Sequence, residues 1–402
     1  MTARQGGTYD VRCHTRADVE PLLPAWCALA ERVPPRNPLA GPQAVLAWYD
    51  ALLPEGDERV LAVTHPGDGL VAVLPLFVHR WLPGARWRGA PYRDAVRSLH
   101  LAGALLDPLL HEVSEPLLDP AHDRAALAAA VGWLHRHERW DWVDLELRDD
   151  QPWPEPRWLS DVGARPAIVP GAPVPQVCVP LDGDEPWRPR RNLRESLRRF
   201  RSRTARAGGE WALTSVAAGE PGWPAALADL RRLHGDRAGL DRGPGHADVL
   251  EVPSQGRLLE GLARRAPYAG ATVHRVERDG RAVAALLTFA VGDTLWVSVS
   301  GVADEAWELS PVTALQEHAL RRAEAEGRRR MLFSPGVDTA KLRWSDQLVT
   351  TRRFTLVGDR PGSARVYRAV GMLRAHRTIT RELRRFGPVS DAVSGSQDSG
   401  VR

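Results

Sequence analysis

At 402 residues the chain exceeds the size at which one hydrophobic core keeps growing, so two domains are expected. Its hydrophobic content of 43% and charged content of 26% are ordinary for a globular protein, and no apolar run is long enough for a membrane span. The net charge of +4 hides an asymmetry: residues 188–206 carry nine arginines against Glu195, and residues 360–386 carry eight against Glu382, local charges of +8 and +7 that leave −11 for the rest. Such segregation points to an anionic partner near the two basic segments. The opening MTARQGGTYDVRCHT lacks the apolar stretch of a secretory leader. Cys13, Cys27 and Cys178 fit neither a disulfide framework nor a metal spacing, so reduced thiols, a cytoplasmic location and no metal are expected.

In chain order, TYDVRCHT reads as a strand, and helical spacing follows over residues 19–32 and 42–53. ERVLAVTHPGDGLVAVLPLFVHR is strand, Gly-Asp-Gly turn and strand, a hairpin. After less regular sequence, AHDRAALAAAVGWLHRHER gives a helix and WDWVDLEL a strand. Residues 149–187, dense in proline and glycine, read as an extended crossover rather than a packed element. The second half repeats the order. ATVHRVERDGRAVAALLTFAVGD is a hairpin, TLWVSVSG a further strand and RRRMLFSP another. Between them SPVTALQEHALRRAEAEG is a helix, with Ser310 as N-cap, Pro311 at its first position and Gly327 as its stop. Hairpin, helix and strand, twice over, predict an α/β protein built by internal duplication. The domains expected are residues 1–165 and 166–386, followed by a disordered tail over 387–402, where the composition turns small and polar.

This order, taken with RRNLRESLRRFRSRTARAGG, LRRLHGDRAGL and SPGVDTAKLRWSD, resembles the GNAT acyltransferase fold. Within it the likeness is to the tandem-domain branch of cellulose-biosynthesis (CelD-like) acetyltransferases, relatives of the Fem-type aminoacyl transferases. NPLAGPQAVLAWYDAL and LVAVLPLFVHR are similar to that branch's first domain, and the resemblance covers roughly residues 10–360. It implies two tandem GNAT-like domains, each a mixed, mostly antiparallel sheet flanked by helices. It implies transfer of an acyl group from acyl-CoA to an amine or hydroxyl of a small-molecule or glycan-precursor acceptor. Acyl-CoA would then be a co-substrate, with no tightly bound cofactor. Fem-like transfer from a charged tRNA is the alternative, and a non-catalytic binding protein with a degenerate GNAT core is the third reading.

Four motifs carry candidate chemistry. On the basic helix, Leu193, Leu197 and Phe200 form a thin apolar stripe, and Arg191, Arg194 and Arg198 are among the arginines around it. That surface is either a solvated face or a phosphate-binding one. At the helix start, Ser310, Val312 and Thr313 hold the position where the GNAT fold binds the coenzyme A pyrophosphate on free backbone N–H groups. Here the glycine-rich loop of that fold is absent and Pro311 removes a donor, so an ordinary packing helix is the other reading. His234 and Arg237 share a helix face. Histidine can deprotonate an attacking amine or hydroxyl near neutral pH, though the chain has thirteen. Arg237 joins the phosphate-binding candidates.

Last, Asp338, Lys341 and Arg343 follow a strand through the Pro335-Gly336 turn, and Lys341 is the single lysine of the chain. The resemblance puts this segment on the acyl-donor side. Lys341 then reads as contacting an anionic group or a carbonyl oxygen; a buried pair with Asp338, or chance retention of one lysine, would also account for it. His234, Asp338 and Lys341 form the expected catalytic set. The absence of Gly-x-Ser-x-Gly, His-Glu-x-x-His and Walker motifs argues against hydrolase, metalloprotease and P-loop readings.

Overall fold

The β2–β3 hairpin, Glu58–His65 and Gly69–Trp81, is the middle of the N-terminal half. The structure, a computed structural model, describes residues 9–33, 38, 41–81, 96–102, 115–148, 151, 153–183, 187–240, 248–265 and 270–372. The expected tail and most of the second basic segment lie outside these residues. β1 (Asp10–His14) pairs antiparallel with β2, and β3 with β4 (Val96–Leu101) and the short β5 (Leu117–Leu118). β4 then runs parallel to β6 (Trp142–Arg148), and α3 (Asp123–His137) makes the crossover. β2 and β3 are apolar almost throughout because both their faces are covered. Leu61, Val63, Leu74 and Leu76 face Leu127, Val131 and Leu134 of α3. Val60, Ala62, Val73 and Phe77 face Trp26 of α1 (Leu23–Arg32) and Trp48 and Tyr49 of α2 (Pro42–Leu52).

The second half repeats this plan. β8 (Trp211–Ala217), β9 (Ala271–Arg278), β10 (Arg281–Val291) and β11 (Thr294–Val302) are successively antiparallel. β11 then runs parallel to β12 (Arg330–Leu332), and α8 (Pro311–Ala325) makes the crossover. The expected duplication is therefore present as topology. α5 (Arg191–Ala207) and α8 cover one face, while α6 (Trp223–Ala238) and α7 (Pro253–Arg264) cover the other. Gly327 does close α8 in a left-handed conformation, φ +74°. Ser310 holds the N-cap position, but its side chain caps nothing and its own backbone is left-handed, φ 56° and ψ 47°.

The linker reading of residues 149–187 is corrected by the structure. After α4 (Pro156–Asp161), this stretch forms β7 (Ala167–Pro180), a fourteen-residue strand at the junction of the halves. β7 pairs with β13 (Leu348–Val357) over most of its length and with β12 at Cys178–Pro180. Its prolines are tolerated because most of its length is paired on one side only. The Pro175 carbonyl, for example, accepts from Gly336 N–H at 2.9 Å, so the missing Pro175 donor also faces away from β13. β13 in turn lies between β7 and β6. The last strand among the described residues thus completes the sheet of the first half. Among the described residues one thirteen-stranded sheet results, ordered β1-β2-β3-β4-β6-β13-β7-β12-β11-β10-β9-β8 with β5 beside β3. No helix among them is long and apolar enough to cross a membrane.

Candidate active site

The parallel pair β11–β12 holds for three residues, Thr294–Trp296 against Arg330–Leu332, and then opens. β11 continues to Val302, while the other chain turns away through Ser334–Gly336 into α9 (Thr339–Leu342). The gap is a cleft of about 750 Å³. Its floor is β11 from Val297 to Ser300, one wall is Phe333 to Trp344, and one end is the start of α8 at Ser310–Thr313. A bulge sits in the floor: Val297 pairs with Thr288 and Ser300 with Leu286, so Ser298 and Val299 together face Leu287. Bulges of this kind re-aim backbone groups and are frequent beside active sites.

Lys341 holds the wall in place. Its ammonium donates to the carbonyl oxygens of Ser334 (2.8 Å), Pro335 (3.1 Å) and Gly336 (3.2 Å). The Asp338 carboxylate is 3.8 Å away and accepts instead from Lys341 N–H at 2.9 Å, as N-cap of α9. Lys341 is therefore neither a buried ion pair nor an unengaged point charge, although it lines the cleft. Arg343 donates to Ser196 Oγ of α5 at 3.3 Å. Trp344 stacks on Trp187 at 5.5 Å and 18°. These contacts fix the wall against α5 and the segment that leads into it.

Of the expected residues, Arg237, Ser310, Val312, Thr313, Asp338, Lys341 and Arg343 come together around this cleft. Arg237 donates to Ser300 Oγ at 2.6 Å, and burial lowers its pKa from the ordinary arginine value. His234 does not join them. It is wholly buried, with Nδ1 3.0 Å from the Ser300 carbonyl and Nε2 3.8 Å from Asp248. α6 crosses β11 so closely at Gly301 that the ring is pressed under the floor instead of facing the cleft. Among the described residues that line the cleft there is no histidine, and Asp338 is the carboxylate.

Arg191, Arg194 and Arg198 are exposed and line neither this cleft nor its neighbour. That neighbour is a polar hollow of about 250 Å³ on the other side of Ser310, lined by Ser196, Arg199, Arg203 and the Trp307–Ser310 turn. Arg203 donates to the Glu308 carbonyl and Arg199 to Glu195 at 3.2 Å. Helical phase separates the two sets of arginines: Ser196, Arg199 and Arg203 lie on one flank of the Leu193–Leu197 stripe, and Arg191, Arg194 and Arg198 on the other. The start of α8 offers an anion little, since Pro311 has no N–H and Thr313 N–H returns to the Ser310 carbonyl at 3.2 Å.

Residues 191–342 match the family model described as acetyltransferase (GNAT) domain. No curated protein sequence matches the chain. Similar solved structures include FemX, with a TM-score of 0.57 and 11% identity over 86% of this chain and 98% of that one. A conserved protein of unknown function from Bacteroides thetaiotaomicron VPI-5482 is also similar, with a TM-score of 0.53 and 11% identity over 83% and 96% of the two chains. At such identities the likeness is one of fold. The duplicated sheet, the split parallel strands and the matched segment agree: the chain has a GNAT-like α/β fold, and its residues 191–342 are similar to the acetyltransferase (GNAT) domain.

Proposed function

We propose that the protein is an acyltransferase that takes an acyl group from acyl-CoA and passes it to an amine or hydroxyl of a small-molecule or glycan-precursor acceptor. The observation that carries this reading is the opening of β11 from β12, which leaves a strand edge, a bulge and a helix start around one cleft. An extended thioester arm can add to such an edge as a further strand would. In our reading the bulged amides at Ser298 and Val299 polarise the thioester carbonyl. The nucleophile attacks the carbonyl carbon, the thiolate leaves, and Asp338 takes the proton that the acceptor loses. Arg199 and Arg203, beside Ser310, meet the anionic end of the donor, which the first turn of α8 serves poorly.

That poor first turn is also what favours a second reading, Fem-like transfer from a charged tRNA, in which the arginines of α5 meet a nucleic-acid backbone. The test is acetyl-CoA turnover with panels of amines and hydroxyl compounds, followed by release of free thiol, alongside direct binding of coenzyme A and of charged tRNA. Acceptor-dependent thiol release with coenzyme A binding supports the first reading. Binding of charged tRNA with no affinity for coenzyme A replaces it with the second. A protein that binds either ligand with no turnover would be the non-catalytic binder.

A further inference from the structure

Far from the cleft, at the edge of the first half, three side chains converge, two from one turn and the third more than fifty residues further on. His65 ends β2, Asp68 lies in the β2–β3 turn, and His122 precedes α3. A single oxygen, Asp68 Oδ2, stands 2.7 Å from His65 Nδ1 and 3.1 Å from His122 Nε2. All three ligand atoms lie within 4.8 Å of one another. The two rings are tilted at 40° to each other with centroids 4.7 Å apart. On the far side of His122, Nδ1 is 3.0 Å from the Tyr9 hydroxyl.

We propose that His65, Asp68 and His122 bind one divalent transition-metal ion of the zinc class. Without a cation, one carboxylate oxygen is shared by two imidazole nitrogens, and His65 Nδ1 also accepts from Gly67 N–H at 3.3 Å. A cation satisfies all three groups at once. Bonds of about 2.0–2.2 Å to imidazole nitrogen and carboxylate oxygen put neighbouring donor atoms roughly 3–3.5 Å apart, close to the observed contacts. Two nitrogens and one oxygen suit zinc, cobalt, nickel and copper better than the hard ions magnesium and calcium. Tyr9 plays the supporting part usual for a metal-bound histidine: accepting from Nδ1–H fixes the tautomer that leaves Nε2 for the metal. Half-burial of both rings, with Asp68 exposed, leaves a position open to water. The ion would tie the hairpin turn and the start of α3 together. Cysteine counting misses such a site because it holds no cysteine, and His122 lies more than fifty residues from the His65–Asp68 pair.

The experiment uses tag-free full-length protein stripped with chelator and desalted, titrated with Zn²⁺ alone and, in parallel, with Co²⁺. We expect one ion per chain by calorimetry, ligand-field absorption from bound Co²⁺ and a higher melting temperature with Zn²⁺. His65→Ala, His122→Ala and Asp68→Asn should each weaken binding about tenfold or more, and Tyr9→Phe by less. Circular dichroism reports whether each variant is folded; should a histidine variant fail, Asp68→Asn, on an exposed turn, decides alone. Absence of saturable binding overturns the proposal. So does one-to-one binding that survives Asp68→Asn or the joint replacement of His65 and His122.

Discussion

Lys341 stands alone among fifty-three arginines, and its surroundings say why an ammonium serves there. Three carbonyl oxygens of one tight turn converge on Nζ, and an sp³ ammonium has three donors to offer them. A guanidinium is planar and matches forks, not a convergent triangle. Hydrogen bonds to charged groups contribute about 1.5–3 kcal/mol, so Lys341→Ala should lower unfolding stability by roughly that amount in urea titrations. Because the turn carries the cleft wall, acyl transfer should fall as well, and Lys341→Arg should restore only part of both. Asp338→Asn separates the neighbouring roles. Asparagine caps as well as aspartate, so stability should hold within a few tenths of a kcal/mol while turnover collapses if the carboxylate is the base.

A buried polar chain makes a second residue-scale prediction. Ser215 Oγ touches His274 Nδ1 at 2.8 Å and His318 Nε2 at 3.0 Å, and His274 Nε2 touches Thr288 Oγ1 at 3.0 Å. Burial, then His318 and Arg322, push the His274 pKa down to about 3. The unfolded chain protonates this ring near the ordinary histidine value of about 6.5. Below that pH the unfolded state binds the extra proton, so stability falls as pH falls. The contribution is whole above about pH 6.5 and is lost towards pH 3, at a slope approaching 1.4 kcal/mol per pH unit. Urea midpoints at pH 7, 6 and 5 should drop more steeply for the wild type than for His274→Gln.

At the scale of elements, local periodicity marks the hairpins, α3, α5 and α8 nearly to the residue, because each carries its signal within itself. The site needed one more step, taking the phase of α5 seriously. Leu193, Leu197 and Thr204 are its buried line, and this alone divides the arginines into a flank with Ser196, Arg199 and Arg203 and a flank with Arg191, Arg194 and Arg198. Replacing Arg199 and Arg203 by Ala should weaken donor binding and flatten its salt dependence, whereas the triple Arg191, Arg194 and Arg198 replacement should leave both nearly unchanged. Binding isotherms at two salt concentrations decide this. The burial of His234 was not legible, because the cause lies in another element. A Cβ on Gly301 would stand 2.3 Å from Leu233 C and 2.4 Å from His234 N, so α6 and β11 touch backbone to backbone. Gly301→Ala must push α6 off the sheet, and a cost of about 1–3 kcal/mol or more is expected in the unfolding free energy.

At the scale of the whole molecule, the part hidden from sequence reading is the exchange of strands between halves. β7 is rich in proline and glycine, so local rules read a linker. It becomes a strand because β13 supplies a partner from the far end of the chain, residues 348–357. β13 brings Phe354 and Leu356, both buried, into the core that α3 covers, so the first half is closed by a strand from beyond the second. Two consequences can be measured. Phe354→Ala leaves a hole in the N-terminal core and should cost about 3–5 kcal/mol, lowering the melting of both halves together in one transition, because β7 and β13 bind each half to the other. A fragment of residues 1–165 keeps β6 but loses β13, so the edge from Trp142 to Arg148 is left unpaired and apolar on one face. Open edges of that kind recruit other chains, so the fragment should aggregate, while the same fragment extended by a short linker into residues 348–357 should run as a monomer in size-exclusion chromatography. A soluble, cooperatively folded 1–165 fragment would mean that the first half closes its own sheet, and that the exchanged strand adds to a domain already complete.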